Sequence, residues 1–104
     1  MTTIELLYFD GCPSWQKAWN DLGLLLAETG IDATVRLRDV MPMTEDERVG
    51  FAGSPTIRID GVDLEGNEAP GVFACRRYAE NGGLGWPSVA LLRERLTAAT
   101  EQRP

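Results

Sequence analysis

The stretch Ile4-Glu5-Leu6-Leu7-Tyr8-Phe9-Asp10-Gly11-Cys12-Pro13-Ser14-Trp15 decides how this chain is read. Its first half, residues 4–9, is almost continuously apolar, the pattern of a strand covered on both faces. Its second half leads through Gly11 into a segment where Trp15, Ala18, Trp19, Leu22, Leu25 and Leu26 recur at helical spacing. The turn between them holds Cys12 and Pro13. Proline suits a helix start, because its missing N–H would have no partner there. A cysteine at such a turn sits where free N–H groups and the helix dipole stabilise a thiolate. Residues 14–29 are therefore predicted to be helical, with Gly30 as the stop.

The next segments alternate between strand and turn signals. Residues 33–39 place Ala33, Val35 and Leu37 on one side and Thr34, Arg36 and Arg38 on the other, which predicts a half-exposed edge strand. Thr44 and Glu47 have capping-box spacing and predict a short helix ending near Gly50 or Gly53. Asp60-Gly61 lies between two alternating runs, so residues 56–59 and 62–65 are predicted to pair antiparallel. The glycine-rich stretch 66–86 is irregular, and residues 73–79 within it read equally as a strand or a helical turn. Ser88 or Pro87 opens a last helix through Ala99, with Val89, Leu92 and Leu96 facing inward.

Composition narrows the function classes. The chain has 104 residues, 43% of them hydrophobic, with no linker or repeat, so residues 1–104 read as one small α/β domain. A net charge of -6, from 16 acidic and 10 basic residues, argues against nucleic-acid binding, which needs a basic field. No apolar run approaches the length of a membrane span, and no basic stretch precedes an apolar core at the start. A cytoplasmic location is the resulting expectation. The absence of histidine removes histidine bases, Cys-His pairs and histidine metal sites. Two cysteines cannot close a tetrahedral zinc site within one chain. No cofactor or metal is therefore assigned.

The order βαβ, helix, β-hairpin, helix, with Cys12 after the first strand and Ser54-Pro55-Thr56 before the third, resembles the thioredoxin superfamily. More narrowly, Phe9-Asp10-Gly11-Cys12-Pro13, Gly53-Ser54-Pro55-Thr56 and Ala74-Cys75-Arg76-Arg77-Tyr78 resemble a group of small bacterial thioredoxin-like proteins, some labelled alkylmercury lyases. The resemblance implies a thioredoxin-like fold with a four-stranded mixed sheet. Its strand at 4–9 would be central and the one at 33–39 at an edge, with helices on both faces. Residues 66–86 would be an insertion before the last helix. It further implies a cis Ser54-Pro55 bond beside Cys12, with Ser54 offering backbone groups to an extended substrate. Trp15 stands where the usual dithiol motif has its second cysteine.

Three functional readings are open. In the first, the chain is a thiol–disulfide oxidoreductase or redox-responsive protein. Cys12 attacks, Cys75 resolves if the insertion folds over Cys12, and Pro13, Trp15, Ser54 and Pro55 dock the partner. That partner is a protein or small molecule bearing a thiol or disulfide; nucleic acid and membrane are excluded, and the oligomeric state is left open. In the second, the two thiols hold a soft ion such as Cu(I) or mercury. The resemblance to the alkylmercury lyases implies that organomercurial cleavage would need two cysteines and an acid three positions after one of them, where Trp15 and Tyr78 stand here; Asp10 is the only acid nearby. In the third, the chain is a non-catalytic binding module. Arg76 and Arg77 either raise thiolate character or are solvated. Tyr78 and Trp86 either line a groove near the thiol or anchor the insertion.

Overall fold

The apolar run at the start forms β1, Thr2–Tyr8, in a computed structural model that describes residues 2–66, 71 and 74–101. β1 lies between β2, Ala33–Asp39, which runs parallel to it, and β3, Thr56–Ile59, which runs antiparallel. A two-residue strand β4, Val62–Asp63, completes a mixed sheet of order β2-β1-β3-β4. The edge position of β2 and the inner position of β1 agree with the alternating and continuous apolar patterns that predicted them.

The pleat of β1 sorts its side chains between two cores. Ile4 and Leu6, opposite Ile59 and Ile57, pack with Ala18, Leu22 and Leu25 of α1, Ser14–Thr29, and with Leu91, Leu92 and Leu96 of α2, Val89–Glu101. Leu7 joins the other cluster, with Val40, Met43 and Phe51 and the half-buried Phe9. Both helices thus serve one face, which corrects the expectation of helices on both. The second face is closed by turns over residues 41–50, where a helix was predicted.

The reason is local. The capping box does form: the Thr44 N–H donates to the Glu47 carboxylate at 3.0 Å and the Glu47 N–H to Thr44 Oγ1 at 3.3 Å. Beyond it the ladder is mixed. The Arg48 N–H is shared between the Thr44 and Glu45 carbonyls, and the Val49 N–H reaches back only to Asp46. Gly50 then adopts a φ of 89°. A capped nucleus of one turn has no length over which to propagate.

The hairpin forms as its sequence requires. Asp60 at φ 52° and Gly61 at φ 84° supply two successive positive φ values, the requirement of the tight turn that matches strand twist. The strand after it stops at Asp63, shorter than predicted. The Asp63 carboxylate accepts the Glu65 N–H at 2.9 Å, and its carbonyl accepts the Gly66 N–H at 3.0 Å. Asp63 therefore bends its own chain out of the ladder.

α1 ends at Gly30, whose N–H bonds the Leu26 carbonyl. Ser88 caps α2 by accepting the Leu91 N–H at 3.0 Å. The inward residues of α2 are Leu91, Leu92 and Leu96, while Val89 is 42% exposed, so its predicted inward position is corrected. Leu91 and Leu92 of the same first turn take the inward positions instead. No helix among the described residues is long and apolar enough to cross a membrane.

Candidate functional site

The candidate site lies at the start of α1. The Cys12 N–H donates to the Phe9 carbonyl at 3.4 Å, which closes the turn between β1 and the helix. Pro13 stands at the helix N-cap with φ -67°, and Ser14 is the first helical residue. Cys12 is only 1% exposed. Its sulfur is bonded to that of Cys75, 63 residues away, with the two Cα atoms 5.7 Å apart. That separation falls in the ordinary range for a disulfide.

Three sets of contacts hold Cys75 there. The first is a length of parallel pairing beside Pro55. The Ser54 N–H donates to the Ala74 carbonyl at 2.9 Å, and the Arg76 N–H donates to the Ser54 carbonyl at 3.0 Å. Ser54 is fully buried, its Oγ accepts the Phe9 N–H at 3.3 Å, and the Ser54-Pro55 bond is cis. Gly53 permits the approach: at φ 106°, it has the Ala74 carbonyl and the Arg76 backbone so close that a Cβ would press on both.

The second is an ion-pair network. Arg76 donates to both Asp63 carboxylate oxygens, at 2.5 and 2.8 Å, and to Glu65 at 3.3 Å. Burial works against the Arg76 charge, but its hydrogen bonds to Asp63 and Glu65 hold the pKa above the ordinary guanidinium value. The third is Tyr78, fully buried, whose hydroxyl donates to the Pro55 carbonyl at 2.7 Å. Burial pushes its phenol pKa up, against the influence of the Arg76 guanidinium 4.3 Å from the ring centroid.

The predicted site residues are thus distributed unevenly. Cys12, Ser54, Pro55 and Cys75 come together. Pro13 is exposed at the helix start, and Trp15 is half-buried, stacked on Tyr8 with ring centroids 4.2 Å apart. Both backbone groups of Ser54 are already bonded to the chain's own residues 74–76. An extended substrate at Ser54 would first have to displace them. Tyr78 anchors the insertion from within the core, and Trp86 packs on that core half-buried. Arg76 is buried, and its side chain is bonded to Asp63 and Glu65; it fastens the segment. Arg77 and Asp10 are exposed.

Residues 74–78 run extended, with Cys75 and Tyr78 in isolated bridges, before a single 3-10 turn at Ala79–Asn81. The described part of 73–79 thus holds two isolated bridges, at Cys75 and Tyr78, and at Ala79 the first residue of a 3-10 turn; Phe73 lies outside the described residues. Gly85 brings the returning chain against Ser14, where a Cβ would collide with the serine side chain. The insertion thus covers the Cys12 turn from two sides.

The Asp63–Arg76 pair was missed at the sequence level. Neither residue carries a local signal for it, since the partners lie 13 positions apart across an irregular segment. Among the described residues no group of three or more Cys, Asp or Glu side chains is placed to hold a metal ion. No protein-family model matches the chain, and no curated protein matches it.

Proposed function

We propose that Cys12 and Cys75 form a redox couple, and that the protein is a thioredoxin-like thiol–disulfide exchange protein. The observation that carries this reading is the disulfide itself, set between a helix start and a segment fastened beside a cis proline. The strand order β2-β1-β3-β4, with β3 antiparallel and Pro55 just before it, supports the thioredoxin-like assignment. The second sulfur comes from the insertion, which accounts for Trp15 in the place of a neighbouring cysteine.

The chemistry of the pair is balanced by two substrate thiols. They lose two electrons and two protons and leave as a disulfide, while the Cys12–Cys75 bond becomes two thiols; the reverse reduces a substrate disulfide. A cytoplasmic location, part of the same proposal, fits a redox role, since disulfides there are mostly transient and catalytic or sensing. The fastening of Cys75 is independent of the S–S bond. Two backbone hydrogen bonds, the Arg76 network and Tyr78 keep the thiols adjacent after reduction, so the bond re-forms within the folded chain.

The test is a redox titration against glutathione buffers, reading thiol content by alkylation and folding by near-ultraviolet circular dichroism. A reversible two-electron transition between two folded forms is expected. Reduction that occurs only together with unfolding would make the bond a structural staple and end the redox reading.

A further inference from the structure

We propose that Cys75, not Cys12, is the sulfur attacked and the one that carries the mixed disulfide, with Cys12 as the resolving thiol. This rests on the redox reading above and assigns the direction of its chemistry.

Displacement at a disulfide needs an approach in line with the S–S bond, from behind the sulfur attacked, so access decides which sulfur reacts. Cys12 is 1% exposed; its N–H is taken up by the Phe9 carbonyl, and the chain on either side of it is covered, Phe9 by Ser54 and Ser14 by the returning chain at Gly85. Cys75 is exposed, and so are its neighbours Ala74 and Arg77. Cys75 is therefore the end of the bond that an incoming thiol can reach.

The leaving side supports the same direction. When a thiolate RS⁻ bonds to Cys75 Sγ, the S–S bond breaks and its electron pair stays on Cys12 Sγ. Cys12 immediately precedes Pro13, the N-cap of a 16-residue helix, and the unpaired N–H groups of such a terminus favour an anion. Asp10, the acid two residues earlier, is exposed, which weakens its opposition. A second RS⁻ then attacks the substrate sulfur of the mixed disulfide, RSSR departs and Cys75 is left as the thiolate. In the reductive direction, the Cys75 thiolate attacks a substrate disulfide and expels one thiolate. Cys12 then displaces the other from Cys75. The adduct is on Cys75 in both directions.

The occupied backbone of Ser54 bears on the substrate. Residues 74–76 fill the pairing position beside Pro55, so the incoming thiol meets Cys75 on its solvent side, without a strand pairing on Ser54. A compact thiol such as glutathione satisfies that geometry.

The experiment uses the oxidised wild-type protein. It is mixed briefly with reduced glutathione, quenched in acid, denatured with N-ethylmaleimide and cut with trypsin. Cleavage at Lys17, Arg58 and Arg76 puts the two cysteines on separate peptides. Glutathione on Cys75 with the maleimide on Cys12 is the expected pattern. Glutathione on Cys12 would overturn the assignment while leaving the redox couple standing. A folded protein that forms no adduct and is not reduced would end both. As a second measurement, glutathione disulfide is offered to the reduced variants Cys12→Ser and Cys75→Ser, each checked for native circular dichroism. The thiol remaining in Cys12→Ser is expected to react at least about tenfold faster, as an accessible thiol does against a covered one. Equal rates, or the reverse order, would overturn the proposal.

Discussion

At the scale of single residues, Arg76 holds more of the site than either cysteine's immediate neighbours. Its side chain and that of Asp63 are 3% and 4% exposed, so neither charge has water to fall back on. Breaking such a pair from one side leaves a buried charge without its principal counter-ion, which costs about 3–5 kcal/mol. Glu65 remains as a partial substitute for Arg76. Asp63→Ala is therefore expected to lose about 3 kcal/mol in urea denaturation. It should also slow re-formation of the Cys12–Cys75 bond after reduction, because the segment bearing Cys75 is released. Unchanged re-oxidation in that variant would show that the network stabilises the fold without positioning the thiol.

Among the elements, α1 and the turns at 41–50 show how far local rules carry. Gly23 stands in the exposed middle of α1, and a Cβ there meets nothing within 4 Å. Gly23→Ala is expected to stabilise the protein by about 0.5–1 kcal/mol, by restricting the unfolded chain and favouring helix. Thermal melting with unchanged spectra checks this. The Thr44–Glu47 box is the titratable device of the turn region. Hydrogen bonds from the Thr44 backbone and side chain hold the Glu47 pKa below its ordinary value. A lowered folded pKa contributes stability that is complete above the unfolded value and is lost as pH falls through the folded one. Glu47→Gln, which removes the titrating group itself, is expected to flatten the acid limb of stability below the ordinary carboxylate range and leave neutral pH dependence unchanged. The measurement is urea midpoint against pH. An acid limb as steep as the wild type's would show that the box does not contribute to it.

At the scale of the whole molecule, the disulfide joins residues 63 positions apart, the turn before α1 and the 74–78 segment. By the chain-entropy argument a loop of that length stabilises the folded state by about 4 kcal/mol. Reduction is expected to lower the denaturation free energy by about 2–4 kcal/mol while the native spectrum persists, since the sheet and both helices pack without it. Urea melts with and without reductant measure the difference. Loss of the native spectrum on reduction would show that the core depends on the bridge.

The sequence by itself determined whatever is encoded within a few residues. The period of α1, the continuous apolar run of β1, the alternation of β2 and the Asp60-Gly61 turn all belong here, because periodicity and turn chemistry act over one element. The Thr44–Glu47 box was legible too, but not that it would cap only turns, since propagation depends on the residues beyond the cap. The cis bond at Ser54-Pro55 could be read only through resemblance. Tertiary structure alone decided the site. Cys75 met Cys12 because Asp63, Ser54 and Pro55 receive the 74–78 segment, and such contacts leave no periodic trace. Which face the helices share was settled in the same way, as was the burial of Cys12 beneath an exposed Cys75. Burial is a property of the packed chain: the same cysteine at the same helix start is open or covered according to what a distant segment does above it.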